Sequence, residues 1–188
     1  MIVLDVETTG LEQAEIVSLD KHPKIIEFAA IKIDDYTLEE VDRLEMLINP
    51  QMLLPAKITQ ITGIADADLA DKEPFSFHFK QIAKFFVGEK YIFAHNAAFD
   101  VYMLKTEFKR LGVWPSFPAP MTPVCTVRQT MRMRGYRLSL PILYQQLFGD
   151  NMPKGHRAMV DVEALTRIVR ELLNKEIIKL KIHSEQKL

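Results

Sequence analysis

Residues 2–11 read Ile2-Val3-Leu4-Asp5-Val6-Glu7-Thr8-Thr9-Gly10-Leu11, an apolar run stopped by a Thr-Thr-Gly turn signal. Ile2 to Glu7 predicts a short strand. Strand side chains alternate between faces, so Val3, Asp5 and Glu7 share one face, with the two acids about 7 Å apart along the chain. Ile2, Leu4 and Val6 take the other face. Apolar residues on both faces predict a strand covered on both sides, with the acid pair near its end.

Working outward, Ile25 to Ile33 and Val41 to Ile48 supply two more strand-like runs, and Asp34-Asp35 between them predicts a hairpin. Past Pro55 the period changes. Phe79, Ile82, Ala83 and Phe86 recur at helical spacing and precede a further short apolar run, Tyr91 to Ala94. Val101, Leu104, Phe108 and Leu111 mark another amphipathic helix, ended by Gly112 and a loop holding Pro115, Pro118, Pro120 and Pro123. Val124 to Val127 reads as a last short strand. Ala158, Asp161, Leu165, Ile168 and Leu172 form one stripe of a final helix. Three leading strands, then alternating helices and strands, predict an α/β fold with a mixed sheet flanked by helices. One domain is expected over residues 1–175, with 176–188 as a helical extension or tail.

Lys plus Arg number 24 against 25 Asp plus Glu, so no net positive field drives indiscriminate nucleic-acid binding, and any such contact must be local. The lone Cys125 excludes an internal disulfide and a cysteine-based zinc cage, and it fits a reducing, cytoplasmic setting. No apolar run approaches the ~18 residues of a membrane span, and no charged-then-apolar leader is expected ahead of the first strand.

Two further acids are directed inward. Asp100 falls on the Leu104, Phe108 and Leu111 side of its helix, and Asp161 lies within the stripe of the last one. Either alone reads equally as an N-terminal helix residue favoured by the helix dipole. Together with Asp5 and Glu7 they pose a problem, because burying an unpaired carboxylate costs several kcal/mol and clustering like charges adds to it. No Lys or Arg occurs at the right phase in these segments. Two divalent cations, magnesium or manganese, would offset four negative charges and take oxygen ligands readily. His156 stands five residues before Asp161, about 140° away around a helix, so the preceding loop, with Pro153-Lys154-Gly155, is its expected place. There it is either a surface histidine or a general base reaching the same site.

Taken together, Asp5 to Leu11, His95-Asn96-Ala97-Ala98-Phe99-Asp100 and His156-Arg157-Ala158-Met159-Val160-Asp161 resemble, in order and spacing, the three motifs of the Asp-Glu-Asp-Asp exonuclease family, histidine subtype. The resemblance runs from about Met1 to Leu173 and extends to Ile26-Glu27-Phe28-Ala29-Ala30 and Ile61-Thr62-Gly63-Ile64. It implies a ribonuclease H-like fold and 3′→5′ hydrolysis of single-stranded nucleic acid to nucleoside 5′-monophosphates. By position it assigns Asp5, Glu7, Asp100 and Asp161 to two metal ions, with His156 deprotonating the attacking water. It also implies that Thr8, Thr9, Gly10 and Leu11 hold the terminal nucleotide, Leu11 wedging against its base. Asn96 either contacts substrate or caps its helix, and Phe99 either stacks on a base or joins the core.

The family includes the proofreading subunit of bacterial replicative polymerase, RNase T and oligoribonuclease. The expected partners are therefore 3′ ends of DNA or RNA, DNA favoured, with a DNA polymerase as a further candidate; the oligomeric state stays open. The sequence departs from the family between Leu11 and Ile26, where Gln13 to Pro23 looks like an inserted loop. Basic residues at Lys105, Lys109 and Arg110, and at Arg128, Arg132, Arg134 and Arg137 around Tyr136, form either a phosphate track or solvated helix faces. The alternative function is a polymerase-associated or nucleic-acid-binding module with little autonomous nuclease activity. The intact set of five residues argues against it. A small-molecule phosphatase would explain the acids but not the motif series.

Overall fold

The computed structural model describes residues 1–14, 17–153 and 157–181, with residues 132–134 described by their backbone. Five strands form one mixed sheet: β1 (Ile2–Thr8), β2 (Ile25–Ile33), β3 (Glu40–Leu47), β4 (Tyr91–Ala94) and β5 (Thr122–Cys125), in the order β3-β2-β1-β4-β5. The first three strands are antiparallel neighbours, whereas β4 runs parallel to β1 and β5 parallel to β4. The expected hairpin joins β2 to β3, and Asp34 builds its turn by accepting the amides of Tyr36 (2.9 Å) and Thr37 (2.8 Å).

Seven α-helices accompany the sheet among the described residues: α1 (Ala56–Thr62), α2 (Asp66–Leu69), α3 (Phe75–Phe86), α4 (Ala97–Arg110), α5 (Thr126–Arg134), α6 (Leu140–Phe148) and α7 (Ala158–Asn174). Alternation along β1 and β2 divides the core in two. Val3, Ala29 and Ile31 pack with α6 and α7 through Leu143, Val162, Leu165 and Ile168. Ile2, Leu4, Phe28 and Ala30 pack on the opposite face with α3 and α4 through Ile82, Phe86, Leu104 and Phe108. The result is the helix-flanked mixed sheet expected from the sequence.

Pairing around β1 is uneven. It stays in register with β2 up to Glu7, with a shift of register before Thr8, but meets β4 only at Ile2 and Val3. Past Val3 its outer edge is open, because β4 stops at Ala94 and the chain turns into α4 at Ala97. The first turn of α4 therefore sits beside the last residues of β1, which is where the acids are.

Several boundaries differ from expectation. The last strand spans Thr122–Cys125, and Val127 belongs to α5. The change comes at Thr126, whose hydroxyl is buried against His95 Nδ1 (2.9 Å) rather than set in a ladder. The third strand is an exposed edge carrying charges, with Arg43 paired to Glu40 at 2.6 Å and to Glu163 at 2.9 Å. α1, α2 and α6 lie where sequence periodicity is too short to signal a helix. α7 ends at Asn174, after which Ile178 is buried against the core and the Lys181 amide donates to the Tyr91 hydroxyl at 3.0 Å. No described helix is long and apolar enough to cross a membrane.

Phe108 is the hub of the α4 layer, with ring centroids 5.7 Å from Phe75, 5.4 Å from Trp114 and 5.0 Å from Phe117. Phe108→Ala is expected to cost about 3–5 kcal/mol of stability. Trp114, the single tryptophan, reports the loss directly as a lowered denaturant midpoint in its fluorescence.

Candidate metal and nucleotide site

Asp5 and Glu7 emerge from β1 on the face covered by α7, and Asp161 descends to them from the first turn of that helix. One carboxylate oxygen of each lies within 4.8 Å of the other two. Asp161 is aimed there because Ala158, Val162 and Leu165, its neighbours on the helix, are buried on the same sheet face. Asp100 approaches from the first turn of α4 and stands outside that tightest group. It is only 3% exposed, and the backbone amides of Val6 and of Asp100 itself lie where they favour its charged form. The open edge of β1 thus leaves the Val6 N–H free for an acid instead of a strand. Of the five catalytic residues read from the sequence, four converge here; His156 lies outside the described residues.

Burial and mutual repulsion govern this cluster. Burial, then the charges of Asp161, Glu27 and Asp100, push Glu7 from the ordinary 4.5 up to about 8, against a small opposing pull from Arg157. Burial raises Asp100 to about 7, offset in part by the backbone amides of Asp100 and Val6. Asp5 is raised well above the usual range by burial first and by Asp100, Glu7, Asp161 and Glu27 after it. Arg157, which pulls only weakly on Glu7, is itself committed to Glu27. An all-oxygen set of this charge suits a hard divalent cation, which would draw these carboxylates back to the ionised state.

Glu27 is the residue whose role sequence reasoning missed. It is fully buried on β2, paired in register with Glu7. Its Oε1 accepts from Arg157 Nε (2.8 Å) and Nη2 (2.6 Å), and its Oε2 accepts the Ala158 amide at 2.9 Å. The N-cap position of α7 is Arg157, which makes no side-chain capping bond, so Glu27 supplies the cap from a neighbouring strand. The signal was a lone acid inside the otherwise apolar run Ile25-Ile26-Glu27-Phe28-Ala29. Its meaning depends on the β1–β2 register and on the arrival of α7.

Beside the acids opens a cleft of about 450 Å³, lined by Glu7, Thr8, Thr9, Gly10, Leu11 and Phe99 from the expected set and by Lys57, Ile58 and Ile61 of α1. Leu11 is 77% exposed and Ile61 46%, so the cleft has apolar walls facing solvent. The threonine hydroxyls serve the turn: Thr8 donates to the Gly10 carbonyl at 2.7 Å, and Thr9 accepts the Lys24 amide at 2.9 Å. Gly10 is not in the left-handed region, and a methyl there would meet only Pro23, at 3.7 Å. Asn96 does not line the cleft. It sits at the N-cap of α4 with φ 105° and no side-chain capping bond, and its Oδ1 accepts from Arg137 at 3.4 Å.

The RNase T family model, described as an exonuclease, matches residues 2–169. The chain is 30% identical over 185 residues to a PolC-type DNA polymerase III of Staphylococcus saprophyticus, covering 98% of this chain and 12% of that protein. It is 31% identical over 177 residues to the Staphylococcus aureus counterpart, covering 93% of this chain and 11% of the relative. It therefore spans only about a ninth of those polymerases. The fold resembles Exonuclease X in complex with 5′-overhanging duplex DNA, with TM-score 0.68, 23% identity and coverage of 95% and 93% of the two chains. It also resembles the nuclease domain of 3′hExo, a DEDDh family member bound to rAMP, with TM-score 0.75, 16% identity and coverage of 93% and 91%.

Two expectations follow from this geometry. Glu7 holds its proton to a higher pH folded than unfolded, so in chelator the folded state binds more protons and stability falls as pH rises from 4.5 towards about 8. Denaturant midpoints at about pH 5 and pH 8, measured beside Glu7→Gln, should show a larger fall in the parent than in the variant, which keeps the raised Asp5 and Asp100; magnesium should restore more stability at the higher pH. Glu27→Gln should keep the fold yet weaken magnesium binding about 10–100-fold, read by calorimetric titration, because α7 and Asp161 lose their charged anchor.

Proposed function

We propose, from the premise that this chain belongs to the RNase T family of exonucleases, of the Asp-Glu-Asp-Asp type, that it removes nucleotides singly from the 3′ end of single-stranded nucleic acid. DNA is favoured over RNA, and the products are nucleoside 5′-monophosphates. The observation that carries this reading is the convergence of Asp5, Glu7, Asp100 and Asp161 from three elements beside an apolar-walled cleft of nucleotide size. Two divalent ions, Mg2+ or Mn2+, held by these four carboxylates would supply Lewis-acid stabilisation of charge developing on the phosphoryl and leaving oxygens.

The chain's own residues provide the rest. Leu11, Phe99 and Ile61 offer apolar surface to the terminal base, and the backbone at Thr8 to Gly10 faces its sugar. His156 takes the proton from the attacking water as its oxygen bonds to phosphorus, while the bond to the 3′ oxygen of the preceding nucleotide breaks and that oxygen is protonated from solvent. Glu27 fixes Arg157 at the start of α7. A proofreading role within a polymerase assembly belongs to the same proposal, supported by the PolC-type relatives. A cytoplasmic setting is supported by the free thiol of Cys125.

The small share of those polymerases that this chain spans favours one second reading, a module whose turnover needs a polymerase partner. Timed digestion of 5′-labelled DNA and RNA oligonucleotides of one sequence, with magnesium, manganese or chelator, separates the two. A metal-dependent ladder shortening from the 3′ end is expected, faster on DNA, and about 10²–10³-fold slower with Asp161→Asn. An inert parent protein in every metal would leave only the partner-dependent reading.

A further inference from the structure

The inserted segment after Leu11 is fastened to the outer side of α4. The Gln13 amide donates to the Tyr102 hydroxyl at 3.0 Å, and that hydroxyl bonds to His22 Nδ1, while His22 Nε2 donates to the Val17 carbonyl at 2.8 Å. Arg110 donates to the carbonyls of Leu19 (3.0 Å), His22 (2.7 Å) and Pro23 (3.0 Å). Arg110 is therefore a staple and is withdrawn from the basic cluster read in the sequence. Lys105 and Lys109 remain exposed on the same helix, and Arg128 is exposed on α5 across from it.

These three cations line two clefts, of about 300 and 320 Å³, that share Ala98 and Val101 and so form one groove along α4. Among the described residues, no carboxylate lines either cleft and none of the three cations has an ion-pair partner. In a chain of net charge −1, this is a local positive track with a fixed wall. It begins at the turn of α4 that carries Phe99 and Asp100. Lys105 and Lys109 lie about 7.5 and 13.5 Å further along the helix axis. At ~3.4 Å per phosphate in a stacked strand, that is a reach of about two to four phosphates.

We infer that this groove, walled by residues 17–23 of the insert on one side and by β5 and α5 on the other, binds the sugar–phosphate backbone of the substrate strand upstream of its 3′ end. The inference rests on the exonuclease reading for the direction of the strand, but not for the binding itself. The groove holds phosphates by charge alone, so it is indifferent to base sequence.

The test is fluorescence anisotropy of the full chain in chelator, with labelled DNA and RNA of about 20 nucleotides, between about 50 and 200 mM salt. K105E/K109E should bind both at least 10-fold more weakly at the low end, with the salt slope reduced by about 1.4; Arg128→Glu should reduce it by about 0.7. K80E/K84E, the same charge change on exposed α3 residues, should match the parent. Hydrolysis of the long strand relative to a dinucleotide, which ends short of Lys105, should fall in the groove variants. Unchanged binding and salt slope in both groove variants, or an equal loss in the α3 control, would overturn the groove. A parent that binds through these lysines yet cleaves neither substrate would instead overturn the nuclease reading and leave the groove standing.

Discussion

Repulsion among carboxylates in a partly dry pocket is the constraint around which this molecule is arranged. Asp5, Glu7 and Asp161 crowd within 4.8 Å, and Asp100 adds a fourth acid, so burial and repulsion push Asp5, Glu7 and Asp100 well above the ordinary carboxylate range. Such a cluster persists because the surrounding packing over-determines it. The sheet buries β1 on both faces, and α7 is pinned by a long apolar stripe, so neither strand nor helix can turn its acids outward without exposing core residues such as Val3 and Leu165. The apolar core thus supplies the free energy that holds the charges together.

Glu27 shows by contrast what makes an acid structural. It is more deeply buried than Glu7, its register partner, yet its three hydrogen bonds from Arg157 and the Ala158 amide satisfy both oxygens. A buried carboxylate matched in this way needs no metal. The ion pair also couples β2 to the start of α7, so the strand opposite Glu7 sets where Asp161 arrives. Glu27 still acts on the site through its field, raising Asp5 and Glu7 further.

The acids were legible in the sequence because each occupies a position defined by local periodicity: two apart on a strand for Asp5 and Glu7, and on the apolar stripe of a helix for Asp100 and Asp161. What was illegible depends on tertiary register or on elements too short to show a period. Ile58 and Ile61 wall the cleft from α1, a helix of seven residues, and only the Ile61-Thr62-Gly63-Ile64 resemblance drew attention to that segment. Val127 reads as strand because it is β-branched and apolar, but the buried Thr126 hydroxyl begins a helix there. Arg110 reads as one more cation in a basic run, and only the folded insert reveals the carbonyls that occupy it.

α4 then carries two separate burdens on two faces. Its inner side, through Met103, Leu104 and Phe108, is core; its first turn delivers Asp100 to the open edge of β1. Those demands leave only the outer side free to vary, and it is there that the insert is attached through Tyr102 and Arg110. Because the inner face fixes the helix rigidly against the sheet, anything held on the outer face keeps a constant distance from the carboxylates. A backbone-binding groove placed there would fix the register of the strand relative to the acids without adding any residue to the site itself.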